Sequence, residues 1–586
     1  MLYQLIDKIP SRHGLADIAL VVLGRLPGCP QGCAPVDSAS PYTLQPRCVN
    51  RVHTSGESPD SQRRAWLGLA FRILLARRDN HVIIAGDWTR GWQGDDDVNR
   101  TAHTRRWGIC GPLCLVVVLA FHVVLASKAG ATGGLVIVTP ERFEDALSDY
   151  VRHKQGQLPV RLAALEPILR NTAGADDPER LKRFLYGLWE TGQIQYALLV
   201  GDADVLPVRY MVLDRITPAA FDYAFYPSDL YYADLAKKDG SFEDWNGQRE
   251  SYHAGYYGEV RGEKNKDDPI NFDAIDYLPE IAVGRWPVST AEEVGIVADK
   301  TIRYERRLIE GRRDHPQRIA LVSVSGWVDS RPALDAAAVL LSPEWTVEKR
   351  YFSDEQATYE TPLPTAEEVI ALMNDGVGVI CHAGHGENLL WHRSFALKDL
   401  GAVDNADHLP IIFSAGCHTA RFATLPPYEP YIDVHGTEHK GSDHGQVFKE
   451  PPPPPAPYQR GKYNPPGLGE GLLRNGPTGA VAYIGCNTGS QPCALTLLEG
   501  FVAGLREERL GDCWNHAIHH YYAKERLADL RPTSSWYPPS VFFQGMKFML
   551  FADPSLILPV VPSGQQARRC QQHPQHCHQT PRQRPR

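Results

Sequence analysis

The chain has no excess of positive charge. Its 586 residues carry 61 Lys and Arg against 69 Asp and Glu, a net −8. No basic stripe is available to neutralise phosphates, so a general nucleic-acid binder is excluded. Clustered cysteine pairs are also missing. Twelve cysteines are scattered, and Cys29 and Cys33 have no second close pair downstream, which removes a zinc framework. Cys486 and Cys493 admit two readings, a disulfide in an exported protein or a pair of buried thiols. No internal repeat stands out.

Long apolar runs are scarce as well. One stretch, Leu113–Ala126, follows Arg105 and Arg106 and precedes Ala129-Gly-Ala131. Charge, apolar run and small residues in that order are the layout of a secretory signal peptide. Translation is therefore expected to start near Val98, leaving residues 1–97 as a spurious or disordered extension and 98–133 as the signal-like segment. The alternative is a buried helix or a single N-terminal membrane anchor. The expected location is secreted or cell-envelope, without stable membrane insertion after processing.

At this length two or more domains are expected. From Gly134 onward short apolar runs alternate with helical patterns. Leu135–Thr139, Tyr196–Asp202 and Ile281–Arg285 read as strands, and Glu141–Lys154, Pro178–Glu190 and Ala291–Glu310 as helices. A second series follows, with strands at Ile319–Val324, Val377–Cys381, Ile411–Ser414 and Ala480–Ile484. Strands alternating with helices predict doubly wound, mostly parallel α/β sheets. The predicted division is residues 134–311 and 312–561. A Pro-rich insertion covers about 426–466, either a substrate-flanking loop or a mobile one. His435, His439 and His444 within it have spacings that fit no helical face. Residues 562–586 read as a disordered tail.

Two glycine-flanked segments carry the chemistry. Val379-Ile-Cys-His-Ala-Gly-His-Gly-Glu387 and Leu409-Pro-Ile-Ile-Phe-Ser-Ala-Gly-Cys-His418 each read as an apolar strand stopping at a reactive side chain. His385 and Cys417 are thirty-two positions apart, which suits a strand, a crossover and a parallel neighbour. An imidazole and a thiol then meet at the carboxyl edge of the sheet, where α/β proteins place their sites. A cysteine nucleophile needs a base and amide donors, for which His385, Gly386 and the Cys417 backbone are the candidates. A metal-dependent hydrolase using His382, His385, Glu387 and His418 is the rival reading. A catalytically silent protein-binding module is the other.

These segments resemble the gingipain-type cysteine peptidases, relatives of the wider caspase-like clan. The resemblance extends in order through Leu135–Pro140, Leu198–Asp202, Ser228–Tyr232, Val283–Arg285, Asp299–Glu305, Ala383–Glu387 with Trp391, Phe413–Cys417, Thr478–Ala482 and Ala552–Leu556. It implies a caspase-like catalytic half preceded by a companion α/β half, and an endopeptidase acting on protein or peptide substrates. Cys417 would be the nucleophile, His385 the acid and base, and the Gly386 and Cys417 amides the oxyanion donors. Trp391 and Asp335 are implied substrate contacts, with Asp335 either a pocket carboxylate selecting basic residues or a surface helix residue. The acidic residue that orients the histidine in some members has no counterpart in Val322-Ser-Val-Ser-Gly326. Structural calcium is also implied, with Asp202, Asp239, Asp244, Asn246 and Glu259 as candidate ligands, the alternative being a solvated acidic loop. Immunoglobulin-like modules carried by larger members are not expected.

Overall fold

The computed structural model describes residues 133–214, 224–310, 317–353, 360–441, 452–460, 464 and 466–559. The N-terminal extension, the signal-like segment up to residue 132, His444 and the tail lie outside the described residues. Among the described residues no helix is long and apolar enough to cross a membrane.

The first sheet holds four parallel strands in the order Val160–Ala164, Gly134–Thr139, Ile194–Val200, Ala282–Trp286. The inner ones are buried on both faces apart from Gln195 and read as near-continuous apolar runs, as interior parallel strands do. Helices cross between them. Asp177–Glu190 starts on Asp176, whose side chain accepts the Glu179 amide, and carries a proline in its first turn. Ala291–Ile309 opens with a capping box between Thr290 and Glu293. It leads from the first sheet to the second.

The second sheet has six strands in the order Phe548–Phe551, Ala482–Cys486, Ile411–Ser414, Val379–Ala383, Arg318–Ser323, Thr346–Tyr351. Five are parallel, and only the edge strand Phe548–Phe551 runs antiparallel. The order reverses beside Arg318–Ser323, so a crevice opens at the carboxyl ends of the strands there. This is a caspase-like, doubly wound α/β fold. Cys486 and Cys493 are free and buried rather than bridged.

The two sheets belong to one compact unit. A single hydrophobic cluster takes Val136 and Leu199 from the first and Ile411 and Phe413 from the second. Their facing edges meet at Gly284, where a Cβ would lie 2.3 Å from the Ala552 carbonyl oxygen. Only glycine permits that approach.

A buried ionic knot fastens the same seam. The Lys154 ammonium, from the first half, lies 2.8 Å from Glu305 and 2.9 Å from Asp553, and all three side chains are shielded from solvent. His153, Gln157 and the Ile557 amide also bond Glu305. Burial works against the charged carboxylate, yet Lys154 and these donors hold Glu305 down at about 2. Removing the cation would strand two carboxylates in the interior, so Lys154→Met is expected to cost about 3–5 kcal/mol in denaturant unfolding. A loss below about 1 kcal/mol would show that the knot carries little.

Candidate active site

The parallel register sets the site. Ser414 pairs with His382 between the strands Ile411–Ser414 and Val379–Ala383. Cys417 and His385 each lie three residues beyond those partners, so both chains leave the sheet at the same level. The loops touch where they turn: a Cβ on Gly386 would lie 3.0 Å from the Cys417 carbonyl oxygen and 2.7 Å from Thr419 Cγ2. Gly384 adopts φ +122°, a conformation open to glycine alone, as the chain turns out of its strand.

Cys417 and His385 line one cleft, with Gly326, Trp327, Gly384, Ser490 and Gln491 among its walls. Both are half-buried. Cys417 is the one free cysteine among the described residues that is not buried, and the Ser490 amide donates to its Sγ at 3.3 Å. The thiol in turn donates to the Ser490 carbonyl at 3.6 Å, so the Ser490 backbone meets the sulfur with both its amide and its carbonyl. Burial pushes the others up, Cys486 to about 12 and Cys493 to about 11, which suits inert core thiols. The His385 ring meets two others edge-on, Trp327 at 6.4 Å and His392 at 5.9 Å. The backbone of His385 is pinned by a 3.0 Å bond from its amide to the Ser325 carbonyl. Among the described residues no carboxylate bonds its ring.

His382 sits beneath the site. Its Nδ1 is 2.9 Å from Ser414 Oγ, and its ring stacks on Trp391 at 4.4 Å with planes 5° apart. Ser414 Oγ also meets the Gly416 amide and Thr419 Oγ1, tying the floor to the cysteine loop. The metal-hydrolase reading fails here, because His382 is buried in the core while His385 faces the cleft. Among the described residues no three His, Cys, Asp or Glu side chains converge as a metal site.

Several sequence expectations need correction. Trp391 is 1% exposed and donates to Tyr483 Oη, so it supports His382 instead of touching substrate. Of the two readings of Asp335 the structure takes the helix one: it lies on Arg331–Ala338, paired with Lys349 at 2.8 Å and accepting from Tyr351 Oη, and is not among the residues lining the cleft. The calcium candidates do not form one cage. Asp244 pairs with Arg249, and Glu259 with Arg261 and His253. Asp239 accepts from its neighbour Ser241, and Asn246 donates to the Ala254 carbonyl. Asp202 belongs to a separate buried group with Asn464, Arg474 and Glu470, where burial pushes both carboxyls up. Among the described residues these side chains are thus engaged with protein partners and no three of them converge as a ligand group.

The described part of the Pro-rich insertion packs on the first half, away from the cleft. Tyr256 Oη donates to the Pro452 carbonyl, the Val208 amide to Pro457 and the Gln459 amide to Ala203. His439 pairs with Asp433, and His435 is exposed. Sequence reasoning missed the wall Ser490-Gln491-Pro492 and Trp327. The signal was available, since Gly489 and Gly326 each follow a strand of the same sheet at its carboxyl end.

Burial pushes the His382 imidazole down to about 3, so the folded protein holds it neutral. The unfolded chain protonates it near about 6.5. Its contribution is full above that pH and is lost as pH falls towards 3. Between pH 7 and 4.5, wild type is expected to lose about 2–3 kcal/mol more than His382→Phe in urea unfolding. Equal losses would mean that this ring does not set the acid limb.

Relatives are distant and longer. Gingipain R2 of Porphyromonas gingivalis strain W83 is 22% identical over 297 residues, 50% of this chain and 33% of that protein. Gingipain R1 of the same species is 21% identical over 302 residues, 50% of this chain and 25% of that protein. The chain thus spans a third or less of the length of these curated relatives. A crystal structure of the Arg-specific cysteine proteinase gingipain R aligns with a TM-score of 0.48 and 17% identity, over 73% of this chain and 78% of that one. The family model described as peptidase family C25 matches residues 128–559, and the chain belongs to that family of cysteine peptidases.

Proposed function

We propose that this protein is an exported cysteine endopeptidase that cuts protein or peptide chains through a Cys417–His385 dyad. One observation carries the reading: the parallel register delivers the half-buried thiol and imidazole into one cleft, with the Ser490 amide on the sulfur. His385 takes the Cys417 thiol proton as Sγ attacks the substrate carbonyl carbon, and the amides of Gly386 and Cys417 stabilise the oxyanion. The C–N bond breaks with a proton from His385, leaving a thioester on Cys417. Water deprotonated by His385 then hydrolyses the thioester and restores the thiol. Export rests on the arginine-preceded apolar stretch up to Ala126.

That no carboxylate bonds the His385 ring among the described residues favours a second reading, a catalytically silent protein-binding module. In peptide digests followed by mass spectrometry, Cys417→Ala is expected to abolish cleavage while the protein stays folded. His385→Ala is expected to lower kcat by about 10²–10⁴-fold, the range of general acid–base catalysis. Cleavage undiminished in Cys417→Ala would refute the dyad. No cleavage by folded wild type would favour the silent module.

A further inference from the structure

Two consecutive peptide units clasp the sulfur of Cys417. The Ser490 amide that donates to Sγ belongs to the Gly489–Ser490 peptide, and the Ser490 carbonyl that accepts from the thiol belongs to Ser490–Gln491. Both peptides are trans, so each plane points its N–H and its C=O in opposite directions. Whatever holds the far end of a plane therefore aims its near end at the sulfur.

Each far end is held from one short segment. Lys547 Nζ donates to the Gly489 carbonyl at 2.7 Å, behind the Ser490 amide. The Gln491 amide donates to Gln544 Oε1 at 3.2 Å, behind the Ser490 carbonyl. Gln544 Nε2 also donates to Ser490 Oγ at 3.2 Å, so one carboxamide ties both the plane and the serine side chain. A backbone N–H only donates, which fixes the carboxamide oxygen on the Gln491 side. Gln544 closes the helix Tyr537–Gln544 and is fully buried. Strand pairing brings it there. The edge strand Phe548–Phe551 runs antiparallel to Ala482–Cys486, so the residues before it lie beside those after Cys486. The Asn487 amide, bonded to the Lys547 carbonyl at 2.9 Å, carries that pairing one step further.

The two ends of the clasp act oppositely on the thiol. An amide donor favours the thiolate, whereas a carbonyl oxygen accepts from the protonated thiol and repels the anion. Gln544 anchors the second. We infer that Gln544 is a positioning residue for the nucleophile, holding the Ser490–Gln491 peptide so that its carbonyl orients the Cys417 thiol and retains its proton. The inference rests on the peptidase reading for its effect on turnover, and not for its effect on the thiol.

Iodoacetamide reads the thiol directly, with alkylation of the Cys417-containing peptide scored by mass spectrometry across a pH series. The full chain carries His385→Ala in this assay, so that the thiol titrates without the imidazole. Cys486 and Lys547 are left as they are. Gln544→Met keeps the length of the side chain and loses both bonds. It is expected to lower the alkylation midpoint by about half to one pH unit, the worth of one hydrogen bond. Gln544→Glu can accept from the Gln491 amide and bond Ser490 Oγ in either protonation state, so it should not lower the midpoint. A midpoint unchanged or raised in Gln544→Met overturns the inference, and so does an equal drop in Gln544→Glu. Should Gln544→Met not fold, Ser490→Ala, which cuts one of the two bonds, must move the midpoint the same way, and an unchanged value there overturns it. With His385 present, Gln544→Met is expected to lower kcat by about tenfold and leave KM within about twofold. A raised KM at unchanged kcat would overturn the positioning role. A folded wild type that cuts no peptide sinks the peptidase reading, while the alkylation midpoints still decide this one.

Discussion

Everything at the site depends on one pairing register, Ser414 opposite His382. A slip of one residue in a parallel pair would turn every side chain to the other face. It would also lift Cys417 out of step with His385. The register is defended from within. Both strands are buried along their length, and the Ser414 hydroxyl joins His382, Gly416 and Thr419 under the reactive loops. Trp391 completes the floor by stacking on the neutral imidazole. The chemistry stands on an apolar-backed polar cluster that never meets substrate.

The interior of the fold was legible because interior parallel strands must be apolar on both faces. Ile411–Ser414 was predicted to the residue, and the other interior strands to within two residues. Three edge strands were not seen. Val160–Ala164 and Thr346–Tyr351 are half-buried edge strands carrying Arg161, Glu348, Lys349 and Arg350, which blurs the pattern. Phe548–Phe551 is a four-residue run hidden among other apolar residues. The helix expected over 141–154 begins as two 3-10 turns, and regular α-helix starts only at Ser148.

At the site, glycine-bounded strand ends located Cys417 and His385, because backbone geometry alone takes them there. Side-chain direction was not legible. Trp391 and Asp335 lie near the right loops in sequence, yet one points into the core and the other pairs with Lys349 on a helix flank. The acidic loop failed for a related reason. Composition counts Asp and Glu, but it cannot tell which already have an arginine beside them.

The ionic knot of Lys154, Glu305 and Asp553 joins residues some four hundred positions apart. Such contacts are made late, since the intervening chain must be ordered first. During synthesis, the first sheet waits for Asp553 before its lysine is neutralised on both sides, and its glycine edge waits for Ala552. The two halves share one compact unit and one hydrophobic cluster across this seam. A chain that stops short of the last edge strand keeps an open seam, with the Gly284 edge uncovered and Lys154 facing Glu305 alone.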